Sequence, residues 1–310
     1  MSTNSSLEPQ TQSASICDYE GSDYQKRFWT DADRAYEDAV ERVAIRRLLP
    51  PKGRRIIEFG AGFGRLGELY TGYDQIVLLD YSRSLLREGM QKWGHDPRFV
   101  FVAADLYKLP FASGVFSAAT MIRVIHHIAD VPAVLSQIRK SLAPGSTFVF
   151  EFANKRNLKA LARHASKRQD WNPNDREPVE FVKLNFDFHP DWMLQKVRHA
   201  GFGVEDKLSA SYLRAGFLKR ALPLKAMVGI DAALQRTAGL GMLSPSVFLK
   251  LKALGSASQH QTALNGEAIF RSPASGMALR REGDFMVCDG DGTRWRVEGN
   301  LYDFKEPVGA

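Results

Sequence analysis

The chain has 310 residues, 44% hydrophobic and 25% charged, with a formal net charge of +7. That is room for one large α/β domain plus a small appendage, in the composition of an ordinary globular protein. No run of about 18 apolar residues occurs, so no integral membrane segment is expected. The two cysteines, Cys17 and Cys288, stand near opposite ends; no structural disulfide is expected, and a reducing cytoplasm is the natural setting.

Residues 1–17 are rich in Ser, Thr and Gln. They lack the basic start and apolar core of a secretory signal, and read as a disordered tail. An aromatic stretch follows, Tyr19 and then Tyr24-Gln25-Lys26-Arg27-Phe28-Trp29. Residues 30–49 carry apolar positions at helical spacing, and Pro50-Pro51 stops that helix. From there strands at 55–59, 75–79, 99–104, 116–121 and 147–152 alternate with helices at 64–70, 82–92 and 131–142. Alternation of this kind predicts a doubly wound, mostly parallel sheet with helices on both faces. Its ligand site belongs at the carboxyl ends of the strands, beside the point where strand order reverses.

The rhythm breaks over about 154–189, an insertion that opens with a helix at 154–168. Arg156, Lys159, Arg163 and Lys167 share one face of that helix, and Leu158, Leu161, Ala162 and Ala165 another. Trp171, Phe181, Phe186, Phe188 and His189 follow as candidate pocket linings. A helix at 191–200 and a strand at about 203–208 come next. The second insertion, about 211–245, holds an amphipathic basic helix over 213–237, with Phe217, Leu218, Leu222 and Leu224 beside Arg214, Lys219, Arg220 and Lys225. Pro223 kinks or divides it. A strand at 246–252 ends the main domain, which spans 18–254. A polar linker covers 255–267, and a β-rich ribbon 268–306.

The chemistry gathers at three stations. A strand ending in Glu58 runs into Gly60-Ala61-Gly62-Phe63-Gly64, a tight turn that brings a ligand against the main chain and presents helix-start N–H groups to it. Arg65 stands where a dinucleotide-binding fingerprint has its third glycine. Glu58 can face the amino group of a bound amino acid, and Asp80, at the end of the second strand, can accept both ribose hydroxyls. Asp105, after the third strand, can accept from an adenine amino group. Each acidic residue alone could merely cap a helix; together they describe an adenosyl ligand with an amino-acid tail.

The stations E-F-G-A-G-F-G, V-L-L-D, A-D-L-Y-K-L-P-F, I-H-H-I-A-D and L-A-P-G-S, spread over 54–153, resemble those of class I methyltransferases in order and spacing. Ser146 replaces the second glycine usual after Pro-Gly. The resemblance implies a seven-stranded Rossmann-like sheet and S-adenosylmethionine as donor. It assigns Gly60, Ala61, Gly62 and Gly64 to the methionine and ribose side, Asp80 to the ribose, Tyr81 to the adenine face, Asp105 with Leu106 to the adenine ring, and Ile122 to the cofactor pocket wall.

Methyl transfer from a sulfonium needs alignment, exclusion of water and sometimes removal of a proton. His126 and His127, after the fourth strand, are candidate general bases; the pair could equally be a scaffold element that caps the next helix. The aromatic stretch at 19–29 resembles a segment that closes over the cofactor in similar enzymes. In the ribbon, Ser272, Ser275, Cys288 and Asp291 stand where a zinc ribbon has two C-x₂-C pairs. The segment resembles the small zinc-ribbon proteins that activate some RNA and protein methyltransferases, and one thiolate out of four predicts no metal. The expected function is methylation of a small or lipid-like metabolite. The alternatives are tRNA methylation through the basic helix, with RNA or an anionic membrane surface as partner, and a silent binding protein that keeps the fold. Oligomeric state is not legible.

Overall fold

Runs of Ile, Val, Leu and Phe bounded by glycine and aspartate make the strands, and nearly all join one sheet. In the computed structural model, which describes residues 20, 34–239, 241–255 and 264–309, β1 (Gly53–Phe59), β2 (Tyr73–Asp80), β3 (Phe99–Ala103), β4 (Phe116–Met121) and β5 (Leu142–Ala153) are parallel. They stand in the order 3-2-1-4-5, so strand order reverses between β1 and β4. After a separate hairpin of β6 (Val179–Val182) and β7 (Asn185–Asp187), β8 (Phe202–Ala210) and β9 (Ser246–Ala253) complete a seven-stranded core, with β9 antiparallel between β5 and β8.

Alternate residues along the strands feed two apolar layers, as a period of two requires. Ile57, Phe59, Val77 and Leu79 face one side, where α3 (Val131–Ser141) contributes Val134, Leu135 and Ile138, and α5 (Pro190–His199) contributes Met193 and Val197. Ile56, Ile76, Leu78 and Phe101 face the other, covered by Ala44, Ile45 and Leu48 of α1 (Ala35–Leu48) and Leu86 of α2 (Arg83–Trp93). Ser82 and Asp130 cap α2 and α3, accepting from Leu85 N at 3.3 Å and Ala133 N at 3.0 Å.

One expected helix is absent. The stretch 64–70 holds only a 3-10 turn over Gly67–Tyr70. Trp93 explains it: its Nε1 donates to Gly64 O at 2.8 Å, and its indole leaves no room for a Cβ at Gly67, which would fall 2.7 Å from the ring. The Gly64 carbonyl is thus shared between the Trp93 indole and Gly67 N at 3.2 Å, an i to i+3 bond of the 3-10 type.

The insertions are shorter in helix than expected. α4 covers Leu158–Ala165, capped by Asn157, and Lys167 at φ +56° ends it. Arg156 and Lys167 therefore lie off the helix, Arg156 pairing with Asn174 at 3.1 Å; no single four-residue basic face forms. Leu158 is 56% exposed. The 213–237 stretch divides at Pro223 into α6 (Gly216–Ala221) and α7 (Leu224–Leu234), and Arg214 precedes both in a loop.

β10 (Arg280–Glu282), β11 (Phe285–Val287), β12 (Arg294–Glu298) and β13 (Leu301–Asp303) extend the sheet to eleven strands, with β13 parallel to β3. Leu301 enters one apolar layer and Tyr302 the other, so the ribbon shares the core of the main domain. It also covers the β3 edge that would otherwise be open to pairing.

Candidate functional site

The site lies where strand order reverses, at the carboxyl ends of β1, β2 and β4. Gly60 N and Ala61 N donate to Leu79 O at 2.8 and 2.9 Å, pinning the glycine loop to β2. Gly60 has φ +72°, and a Cβ there would fall 2.2 Å from Val124 Cγ2; Gly62 has φ +55°, and its nearest obstacle is Leu85 Cδ1 at 3.9 Å. The first glycine serves packing. The second leaves a bare main chain with space in front of it.

Asp80 holds this loop and the next. Its Oδ2 accepts from Gly62 N at 2.7 Å and its Oδ1 from Ser82 N at 2.9 Å. A carboxylate so placed is the group type that can accept from ribose hydroxyls. Asp105 Oδ1 accepts from Tyr107 N at 2.8 Å, and Ala104 N donates to Asp80 O at 3.1 Å, joining the second and third stations. Leu106 is partly buried, and Ala61 and Ile122 share one apolar cluster. Glu58 is buried on the same sheet face as Thr120 and Tyr70, and its Oε2 has no hydrogen-bond partner. Burial raises its carboxyl to about 8, opposed by Arg65. A buried carboxyl oxygen without a partner, an open glycine and a carboxylate at the end of β2 are what an adenosyl ligand with an amino-acid tail requires, so these residues fit S-adenosylmethionine.

Residues from both ends of the sequence meet the start of α2. Arg83 Nε donates to Asp303 at 2.6 Å, and Lys305 Nζ sits 3.7 Å from the Tyr81 ring centroid. Glu20 accepts from Arg83 N at 2.7 Å and Ser84 N at 3.1 Å at the start of α2. The aromatic residues 24–29, expected as a lid, and Tyr19 lie outside the described residues, as does Cys17.

The two histidines have different surroundings. His127 Nδ1 is 2.9 Å from Leu184 O, which ties it to the hairpin turn of β6 and β7. His126 packs on His127 with ring centroids 4.0 Å apart. Burial, then His127 and Arg123, hold its pKa well below 6.5, so it is neutral near pH 7. Of the aromatic residues expected to line a pocket, Phe188 is core, Trp171 packs on Phe181 at 5.6 Å, and His189 caps α5 by accepting from Asp191 N.

Sequence reading missed a buried charge network on the acceptor side. Glu41 on α1, fully buried, accepts from Arg65 at 2.9 Å and Arg123 at 2.6 Å, and Arg65 also pairs with Asp38. Arg65, seen only as the residue that is not a third glycine, is the bolt between α1 and the glycine loop. Arg123 stands at φ +60°, rare for a side chain of its size, with its N donating to Glu151 at 2.9 Å. Helical spacing in 30–49 did not distinguish Glu41 from a solvated acid.

In the ribbon, the four zinc-ribbon positions do come together. Asp291 accepts from Ser272 Oγ at 2.8 Å and from Ser275 Oγ, and Cys288 Sγ is 3.9 Å from Ser275 Oγ. Hydrogen bonds from Ser275 and Thr293 depress the Asp291 pKa. Among the described residues no group of three or more His, Cys, Asp or Glu is placed to hold a metal, and no helix is long and apolar enough to cross a membrane.

Residues 28–204 match the family described as "Methyltransferase domain". A demethylmenaquinone methyltransferase of Corynebacterium kroppenstedtii is 32% identical over 37% of this chain and 50% of its own length. A malonyl-[acyl-carrier protein] O-methyltransferase of Legionella pneumophila is 30% identical over 36% of this chain and 39% of its own. The matches thus span half or less of these curated relatives. Among solved structures, the complex between the Haloferax volcanii Trm112 methyltransferase activator and a methyltransferase contains a chain that superposes with TM-score 0.52 at 17% identity, over 76% of this chain and 96% of that one. It is similar in fold. With more than half of its residues inside the family match and a cradle that fits S-adenosylmethionine, the chain belongs to the methyltransferase domain family, as a class I, S-adenosylmethionine-dependent member.

Proposed function

We propose that the protein transfers a methyl group from S-adenosylmethionine to an O, N or C nucleophile of a small or lipid-like metabolite by in-line displacement. The observation that carries this reading is that hydrogen bonds join the Gly60–Gly64 loop, Asp80 and the Ala104–Asp105 turn at the strand ends, with a partly buried, neutral His126 after β4. The bound donor supplies a methyl on a sulfonium, which is already a good leaving group. Gly62 and its neighbours receive the amino-acid tail, with Glu58 as its acidic partner; Asp80 holds the ribose; Tyr81, Asp105 and Leu106 hold the adenine.

His126 is the proton acceptor when the nucleophile carries a proton. Desolvation keeps its imidazole unprotonated and therefore able to accept. His127 positions it, through ring contact and the bond to Leu184 O. The small-metabolite reading is supported by the relatives' names, which specify quinone-type and acyl-carrier acceptors for those proteins. The short α4 does not favour the RNA reading.

The test is a transfer assay with methyl-labelled donor against a panel of quinones, phenols, amines and carboxylic acids, with bulk tRNA in parallel. Label is expected in the small-molecule fraction. Salt-sensitive label in tRNA alone would replace this reading with the RNA one. Donor binding without transfer to any acceptor would favour a silent binding protein.

A further inference from the structure

Hydrogen bonding around the exits of β4 and β5 leaves one guanidinium nitrogen over. Three arginines meet there: Arg65, Arg123 and Arg214, the last in the loop between β8 and α6. Glu41 is shared by Arg65 and Arg123. Glu37 is taken by Lys219 at 2.8 Å. Glu151 is held by Arg123 N and Ser246 Oγ, and burial raises its pKa. Asp187, on β7, is pushed up to about 6 by burial, opposed by Arg214 and reinforced by Glu151. Glu37, Glu41 and Glu151 are thus engaged with other groups, and Asp187 faces Arg214 electrostatically without a hydrogen bond to it.

Arg214 is left over. It makes no hydrogen bond or ion pair with any described residue, although its Nε is buried. It lies within electrostatic reach of Arg123, Glu41, Glu151 and His126. The neighbouring backbone fixes the loop that carries it: Tyr212 N donates to Asp231 at 2.9 Å, and Leu213 N to Tyr36 Oη at 2.9 Å. A guanidinium whose Nε is buried without a partner is costly, and the fold retains the loop that imposes it.

We infer that Arg214 is the receptor for an anionic group on the methyl acceptor, a carboxylate or a phosphate, held beside His126. The inference rests on the methyl-transfer reading and names the acceptor class for that site. A planar guanidinium offers a carboxylate or a phosphate two parallel N–H bonds. The same contact anchors the acceptor on the His126 side, leaving the nucleophile to face the donor crevice.

The test uses the full chain saturated with S-adenosylhomocysteine. Benzoate, hexanoate and inorganic phosphate are titrated by calorimetry, with benzamide and hexanamide as neutral controls. At least one anion is expected to bind saturably, and neither amide. Carboxylate against phosphate binding distinguishes the two sources of charge. Arg214→Gln is expected to weaken anion binding at least tenfold, while S-adenosylmethionine affinity stays within twofold. Arg214→Met is expected to melt no lower than the parent without ligand, because it removes a buried Nε that has no hydrogen-bond partner; a purely structural arginine would lower the melting temperature. The inference is overturned if no anion binds, if amides bind as well as acids, if binding survives Arg214→Gln, or if Arg214→Met is clearly destabilised. Failure of donor binding in the parent protein would instead remove the methyl-transfer reading beneath it.

Discussion

Glu41 is the most exposed point of this account to experiment. It is fully buried and is the shared counter-charge of Arg65 and Arg123, which tie α1 to the glycine loop and to the exit of β4. Burial works against its charge, but Arg123 and Arg65 outweigh it and hold its carboxyl below the usual range. In Glu41→Gln, Arg65 retains Asp38, while Arg123 loses the carboxylate its Nε donates to. Breaking one side of a buried pair costs about 3–5 kcal/mol. At about 2–4 °C per kcal/mol for a chain of this class, the melting temperature should fall by roughly 6–20 °C. The control is Glu68→Gln, which removes a half-exposed partner of Arg42 at 2.5 Å and should cost below about 1 kcal/mol. Calorimetric melting of both variants at pH 7.5 is the assay. Equal small shifts in the two would refute the claim that the network fastens α1 to the site.

Other outcomes follow from the same geometry. Gly60→Ala should fail to accumulate as folded protein, since its Cβ would strike Val124, whereas Gly62→Ala should fold and lose donor affinity at least tenfold; equal behaviour in solubility and binding assays would contradict the division of labour. His126→Gln should lower turnover while leaving donor affinity unchanged, and in the parent enzyme the acid limb of kcat/KM should lie below pH 6.5. The same depressed pKa means the unfolded chain binds a proton that the folded one refuses, so stability is full above about pH 6.5 and falls below it; His126→Gln should flatten that fall in melting curves. Lys305→Met and Asp303→Asn, which release Tyr81 and Arg83, should weaken donor binding several-fold with little change in turnover at saturation.

Much of the fold was legible because periodicity and turn residues are local signals. The strand at 116–121 and the capped helices after Ser82 and Asp130 follow directly from such patterns. The helix at 64–70 was not refused by its own sequence; Trp93, far along the chain, packs against Gly67 and donates to the Gly64 carbonyl beside a 3-10 turn. The ribbon reads as a separate module until β13 is seen beside β3, a pairing between residues some 200 positions apart. The proposed donor residues stand out in the sequence because they sit at fixed offsets from strand ends. The charge network was not legible: Glu41, Arg123, Glu151, Asp187 and Arg214 come from five segments, and nothing in their local sequence marks them as neighbours.

Calorimetric titration of S-adenosylmethionine into the parent protein and Asp80→Asn tests the central claim most directly. The parent should bind one equivalent. The variant, with one carboxylate oxygen replaced and its charge removed, should lose about 1.5–3 kcal/mol, or roughly ten- to a hundredfold in affinity. A parent that does not bind the donor, or a variant that binds it equally well, would contradict the account.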